Sequence, residues 1–176
     1  GTADAYGWTD GVGTSARFGS PSGLAVDGAG NIWVADTSNH LVRKISTSGV
    51  VSTVAGLATF EGDLDGNGAS ARFRLPYAVA VDSAGNVLVA DSGNSTIRRV
   101  TPAGDVTTLA GLALSLGDAD GTGSAARFAS PSGLAIAPSG GVFISDSAGR
   151  TIRRMAPDGS VTTVCGRGGL EGAVDG

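Results

Sequence analysis

Arg17-Phe18, Arg72-Phe73 and Arg127-Phe128 recur at a constant interval of 55 residues. Pro21, Pro76 and Pro131 keep the same spacing, and so do Asp36, Asp91 and Asp146. The pair Asp10-Gly11 returns as Asp65-Gly66, Asp120-Gly121 and Asp175-Gly176. No insertion or deletion separates the copies, so three periods fill residues 1–165 and residues 166–176 begin a fourth. A strict repeat of this kind limits the chain to architectures in which one supersecondary unit stacks on copies of itself, each covering the apolar face its neighbour cannot bury alone.

Within a repeat the pattern is β. Gly23-Leu-Ala-Val-Asp27 and Asn31-Ile-Trp-Val-Ala-Asp36 are short, apolar and rich in β-branched residues. Between them Asp27-Gly-Ala-Gly-Asn31 has the chemistry of a hairpin loop. The third run is His40-Leu-Val-Arg-Lys-Ile45, after the turn Thr37-Ser38-Asn39, and the fourth is Val50-Val-Ser-Thr-Val54, entered through Gly49. Four strands joined by tight hairpins make one antiparallel sheet, about the size of a propeller blade. Gly56 to Pro76 is a long connection, and because its length is the same in each copy it is expected to be ordered. The reading is an all-β repeat array over residues 1–176, with approximate blades 12–55, 67–110 and 122–165 and equivalent partial-repeat overhangs at 1–11 and 166–176.

Composition excludes several classes. Gly supplies 30 of the 176 residues, far above the average of roughly 7% but without the three-residue period of collagen. A hydrophobic content of 41% is too high for a disordered chain. No run of 18 apolar residues exists, so no membrane partner is expected. The net charge of −4 has the wrong sign for general nucleic-acid binding, which needs cations to displace phosphate counterions. Of the cations only Lys44 is Lys, a bias towards Arg that suits partly buried, bidentate pairing. Cys165 is the single Cys; its repeat equivalents are Ala55 and Ala110, which predicts a small buried apolar residue. The chain opens at Gly1 without Met, as if the natural start had been removed.

Pro21-x-Gly23-Leu-Ala-Val-Asp27, Gly30-Asn31-Ile-Trp-Val-Ala-Asp36, Asn39-His40 and Val42-Arg43-Lys44-Ile45 together resemble the NHL repeat. The Asp-Gly…Ala-Arg-Phe…Pro segment ahead of them is similar to the long-loop NHL repeats of bacterial and teneurin-type proteins. The resemblance covers the whole chain and implies β-propeller blades, commonly six to a ring, with Gly23–Asp27, Ala78–Asp82 and Gly133–Ala137 nearest the axis. The third repeat departs from the pattern at Ala137, where the others have Asp27 and Asp82, and at Gly149, where they have Asn39 and Asn94; looser turns are expected there. The family carries no single activity, so the fold leaves function open.

Candidate sites follow from the repeated polar residues. Arg17, Arg72 and Arg127 are expected to tie blades together through Asp36, Asp91 and Asp146, because a partly buried guanidinium needs carboxylate acceptors. Arg43-Lys44, Arg98-Arg99 and Arg153-Arg154 offer a basic stripe around the rim. Asp63, Asp65 and Asn67, with Asp118 and Asp120 in the next copy, have the alternate spacing that opens a calcium loop. They equally have the chemistry of Asx turns, and Arg74 stands where a calcium loop would place its bidentate Glu. His40 is the only His, which excludes a three-His metal site within one chain. Asn94-Ser95-Thr96 is a formal glycosylation sequon in a turn position that Asn39 also occupies.

Three blades cannot close a ring, and a three-bladed arc exposes an apolar face at each end. Two copies supply six blades, so a homodimer of half-propellers is expected, unless the chain is cut from a longer array. Near-equivalent repeats suit a non-catalytic, self-assembling scaffold or an interaction module for protein or small ligand, with no cofactor unless calcium binds. The alternative is a metal-dependent, lactonase-like hydrolase with its site on the propeller axis, for which Asp27 and Asp82 are the candidate carboxylates. A Lys-poor acidic surface leans towards an extracytoplasmic, bacterial-like setting.

Overall fold

A computed structural model describes residues 6–167. Among them the strands form three five-stranded antiparallel sheets, one per repeat. The first blade contains β1 (Gly11–Val12), β2 (Pro21–Val26), β3 (Ile32–Asp36), β4 (Leu41–Ile45) and β5 (Val50–Ala55). The second repeats this as β6 (Gly66–Asn67), β7 (Pro76–Val81), β8 (Val87–Asp91), β9 (Thr96–Val100) and β10 (Asp105–Ala110). The third comprises β11 (Gly121–Thr122), β12 (Pro131–Ile136), β13 (Val142–Asp146), β14 (Thr151–Met155) and β15 (Ser160–Gly166). The four long strands of each blade are those expected from the sequence. The fifth was not: the two-residue strands β1, β6 and β11 come from the long connections and pair antiparallel with the outermost long strand, as in Gly11 opposite Val51. Of the overhangs, residues 1–5 and 168–176 lie outside the described residues.

The first long strands converge where the blades meet. A Cβ on Gly23 would stand only 2.6 Å from the Tyr77 carbonyl oxygen and 2.7 Å from Ala78 Cα, so β2 lies backbone against backbone on β7 and only Gly fits. Ser22 Oγ donates to that carbonyl at 2.6 Å, and Thr37 Oγ1 donates to the Pro76 carbonyl at 2.7 Å.

Two cores lie between blades rather than within them. Trp33, Ala35, Val42 and Ala55 of the first blade pack on Phe73, Val79, Val87, Val89 and Val100 of the second. Leu88, Ala90, Ile97 and Ala110 then pack on Phe128, Val142, Ile144 and Met155 of the third. Strand alternation explains this: successive side chains of β8 point to opposite faces, so Val87 and Val89 serve the first core while Leu88 and Ala90 serve the second.

Candidate functional site

The strongest polar feature of each blade is buried under its connecting loop. In the second blade Arg98, on β9, lies beneath the chain with its side chain fully covered. Its Nη1 donates to Asp91 Oδ2 at 2.9 Å and to the Arg72 carbonyl at 3.1 Å. Its Nη2 donates to Asp65 Oδ1 at 2.7 Å and to the Leu64 carbonyl at 3.0 Å. Asp91 also accepts from the Arg74 N–H and from Asn94 Nδ2, both at 2.7 Å, and the guanidinium sits 5.3 Å from the Phe73 ring centroid. Burial pushes the Asp91 carboxyl up to about 6, against the opposing pull of Asn94 and Arg98. Arg43 repeats the arrangement in the first blade with Asp36, Asp10 and Phe18.

This corrects the expected pairing. Asp36 and Asp91 are the buried acceptors, but their cations are Arg43 and Arg98. Arg17 instead donates to the carbonyls of Thr14 and Ala16, Arg72 to those of Ala69 and Ala71, and Arg127 to those of Ser124 and Ala126. They cap the 3₁₀ turn next to them, a local use that a two-residue motif does not reveal. The tie also runs within a blade and its own loop, not between blades. Because Arg43, Arg98 and Arg153 are buried, the basic stripe reduces to the second cation of each pair, Lys44, Arg99 and Arg154.

The calcium candidates are spent in the same network. Asp65 is shared by Arg98 and by the N–H and hydroxyl of Thr108, and Asp120 by Arg153 and the Thr163 hydroxyl. Asn67 Nδ2 donates to the Ala103 carbonyl and to Asp105, so it presents donors where a cation needs oxygen. Asp63 and Asp118 are not drawn in beside them: among the described residues, no three His, Cys, Asp or Glu side chains gather as a metal site. His40 Nδ1 accepts from the Leu75 N–H at 3.1 Å across the junction of the first two blades, and burial lowers its pKa. Asn94 of the sequon is buried and fully used, which leaves the amide unavailable to a glycan in the folded chain.

In the third blade Gly149 changes the network. A Cβ at Gly149 would lie 2.8 Å from Asp146 Oδ2, because the carboxylate has turned into the space an Asn fills in the other copies. Asp146 there accepts from the backbone N–H groups of Ala129 and Ser130, while Arg153 donates to Asp120 and to the Arg127 carbonyl. Gly149→Asn should push the carboxylate back towards Arg153 and let the new amide reach Asp146 and the Gly117 carbonyl. The unfolding free energy, measured by the denaturant midpoint, should rise by about 1 kcal/mol, from hydrogen bonding and the lost freedom of Gly in the unfolded chain. An unchanged or lower midpoint would show that the third blade does not need this contact.

The hairpin ends carry the inner carboxylates. Asp27 accepts from the N–H groups of Ala29 and Asn31, from Asn31 Nδ2, and at 3.0 Å from the Trp33 indole Nε1. The Asn31 amide above all, then the Asn31 N–H and the indole, hold its carboxyl at about 2 in spite of some desolvation. Asp82 accepts from Ala84, Asn86 and the Asn86 amide. Both carboxylates close hairpins.

Three antiparallel sheets that pack face to face about converging inner strands define a β-propeller arc. The NHL repeat pattern matches residues 18–45 and 73–100. NHL repeat-containing protein 2 of Homo sapiens is 30% identical over 186 aligned residues, covering 91% of this chain and 26% of its own length. The chain belongs to the NHL-repeat family and spans about a quarter of that relative. Among solved structures, an auxiliary nutrient binding protein from Bacteroides thetaiotaomicron aligns with a TM-score of 0.67 at 23% identity, over 80% of this chain and 36% of that one. A gluconolactonase from Xanthomonas campestris aligns with a TM-score of 0.59 at 17% identity, over 82% of this chain and 47% of that one. At such identities the likeness is one of fold.

Proposed function

We propose that the chain is a non-catalytic binding module that assembles with a second copy into a six-bladed ring. The carrying observation is the state of its two end faces. Phe143, Ile152 and Val164 on the outward face of the third blade are 38%, 37% and 52% exposed, whereas Leu88 and Ile97, the equivalents of Phe143 and Ile152 one blade earlier, are 5% and 0% exposed. At the other end Leu24 and Val26 are each 66% exposed, against 6% for Val79 at the position equivalent to Leu24. The two faces are the two halves of an inter-blade core, so the third blade of one copy fits the first blade of another, and two such junctions close a ring of six. Cys165 follows the same logic: it is exposed, contrary to the sequence expectation, because among the described residues no further blade covers the face on which Ala55 and Ala110 are buried.

A binding role is favoured over hydrolysis because the inner carboxylates Asp27 and Asp82 are already committed to their hairpins. Light scattering after size exclusion tests the assembly. A mass about twice that of the 17.1 kDa chain is expected, the smallest number of three-bladed copies that closes six blades. A stable monomer at micromolar concentration overturns it.

A further inference from the structure

The two inter-blade junctions differ in one respect that repetition makes visible. On the side of the sheet that carries the β2–β3 and β4–β5 turns, each junction holds a cleft lined by equivalent residues. At the first junction the cleft is about 380 Å³, and Trp33 occupies its wall. The indole is 1% exposed, donates Nε1–H to Asp27, and has the Lys44 ammonium over its ring at 5.1 Å from the centroid. At the second junction Leu88 stands in place of Trp33 and Arg99 in place of Lys44, and the cleft grows to about 570 Å³. Asp82, the equivalent of Asp27, lines this larger cleft, and Leu88 has no N–H to give it. Ala137 stands where the first junction has Asp82, and Asp158 joins Asp82 in the lining of the larger cleft. Arg99 Nε is buried without a hydrogen-bond partner among the described residues.

We infer that the cleft between the second and third blades binds a planar aromatic heterocycle with an N–H donor, of the indole class, in the place that Trp33 fills with the chain's own side chain one junction earlier. The N–H donates to Asp82, the ring lies on Leu88, Leu109, Ile136 and Met155, and the Arg99 guanidinium covers its face as Lys44 covers Trp33. A cleft of this size, mostly apolar with a few convergent polar groups, falls in the range of small-ligand sites. A guanidinium over an aromatic face is attractive in its own right.

Isothermal titration of the full chain with indole itself tests this. One equivalent per chain is expected, with a Kd of about 1 mM for a ligand so small. 1-Methylindole, which keeps the ring and loses the donor, should bind on the order of tenfold more weakly, the worth of one hydrogen bond. Leu88→Trp should abolish binding by filling the cleft from within, and Arg99→Met should weaken it several-fold while leaving the fold intact. Absence of indole binding at millimolar concentration, equal affinity for 1-methylindole, or full binding by a folded Leu88→Trp chain would each overturn the assignment. The methyl analogue acts on the unaltered chain, so the test holds even if Leu88→Trp does not fold.

Discussion

Arg98→Ala should lower the unfolding free energy by about 3–5 kcal/mol, the usual loss when one partner of a buried ion pair is removed and the other left behind. The guanidinium donates to both Asp91 and Asp65, to two backbone carbonyls of the loop that enters the second blade, and it lies over Phe73. Its removal strands Asp91 in a dry pocket. The sign of the pH response then follows. Asp91 has a folded-state pKa already above the ordinary carboxylate value, and without the cation it moves higher still. The folded chain then binds a proton more readily than the unfolded one, so stability of the variant should rise as pH falls from 7 towards 4. Asp91→Asn in the same background should relieve part of the loss at pH 7, since it removes the stranded charge. Chemical denaturation at pH 7 and pH 4.5 checks both statements. A loss below about 1 kcal/mol would mean that water reaches Asp91 and solvates the charge, which is incompatible with a network buried this deeply.

How far this network could be read beforehand depends on which residue is considered. Its acids, Asp36 and Asp91, stand out by repetition, and so does the Phe that carries the cation. The pair Arg17-Phe18 is conspicuous in sequence and points to the wrong cation, whereas Arg43 is hidden in an alternating strand that reads as partly exposed. Pairing β3 with β4 is what places Arg43 beside Asp36, with Val34 opposite it in the register, and only the folded sheet supplies that. The strands themselves were legible because β-branched runs between Gly and Asn turns leave little alternative. The edge strands β1, β6 and β11 were not, since two residues carry no periodicity. Nor were the left-handed residues His40, Ser95 and Arg150 that end the β3–β4 turns, where nothing but their shared repeat position marks them. The inter-blade cleft was illegible for a different reason: Leu88 for Trp33 looks like a conservative change within a core until the volume it vacates is seen beside Asp82 and Arg99.

The largest effect on assembly should come from Ile152→Asp. Ile152 lies on the outward face of the third blade, opposite Ser145 on one side and Cys165 on the other, and its equivalents Val42 and Ile97 are completely buried. In a closed ring the new carboxylate would be sealed against the first blade of the partner copy with no cation supplied for it. Burying an unpaired charge costs several kcal/mol, so the two-copy ring should weaken by at least about a hundredfold and elute as monomer at micromolar concentration. The fold of each blade should survive, because the residue is exposed within a single chain and helps to build neither internal core. Circular dichroism should therefore be unchanged while the mass halves. Cys165 reports on the same face from the other side. Its thiol is exposed on one chain, so if two copies close the proposed ring a maleimide should react quickly with the Ile152→Asp monomer and slowly with the unaltered protein, where a ring would have to open first. If the variant keeps the mass of the parent, or if Cys165 reacts equally fast in both, the outward face of the third blade is not where copies meet. The apolar positions that repetition placed there would then need another partner.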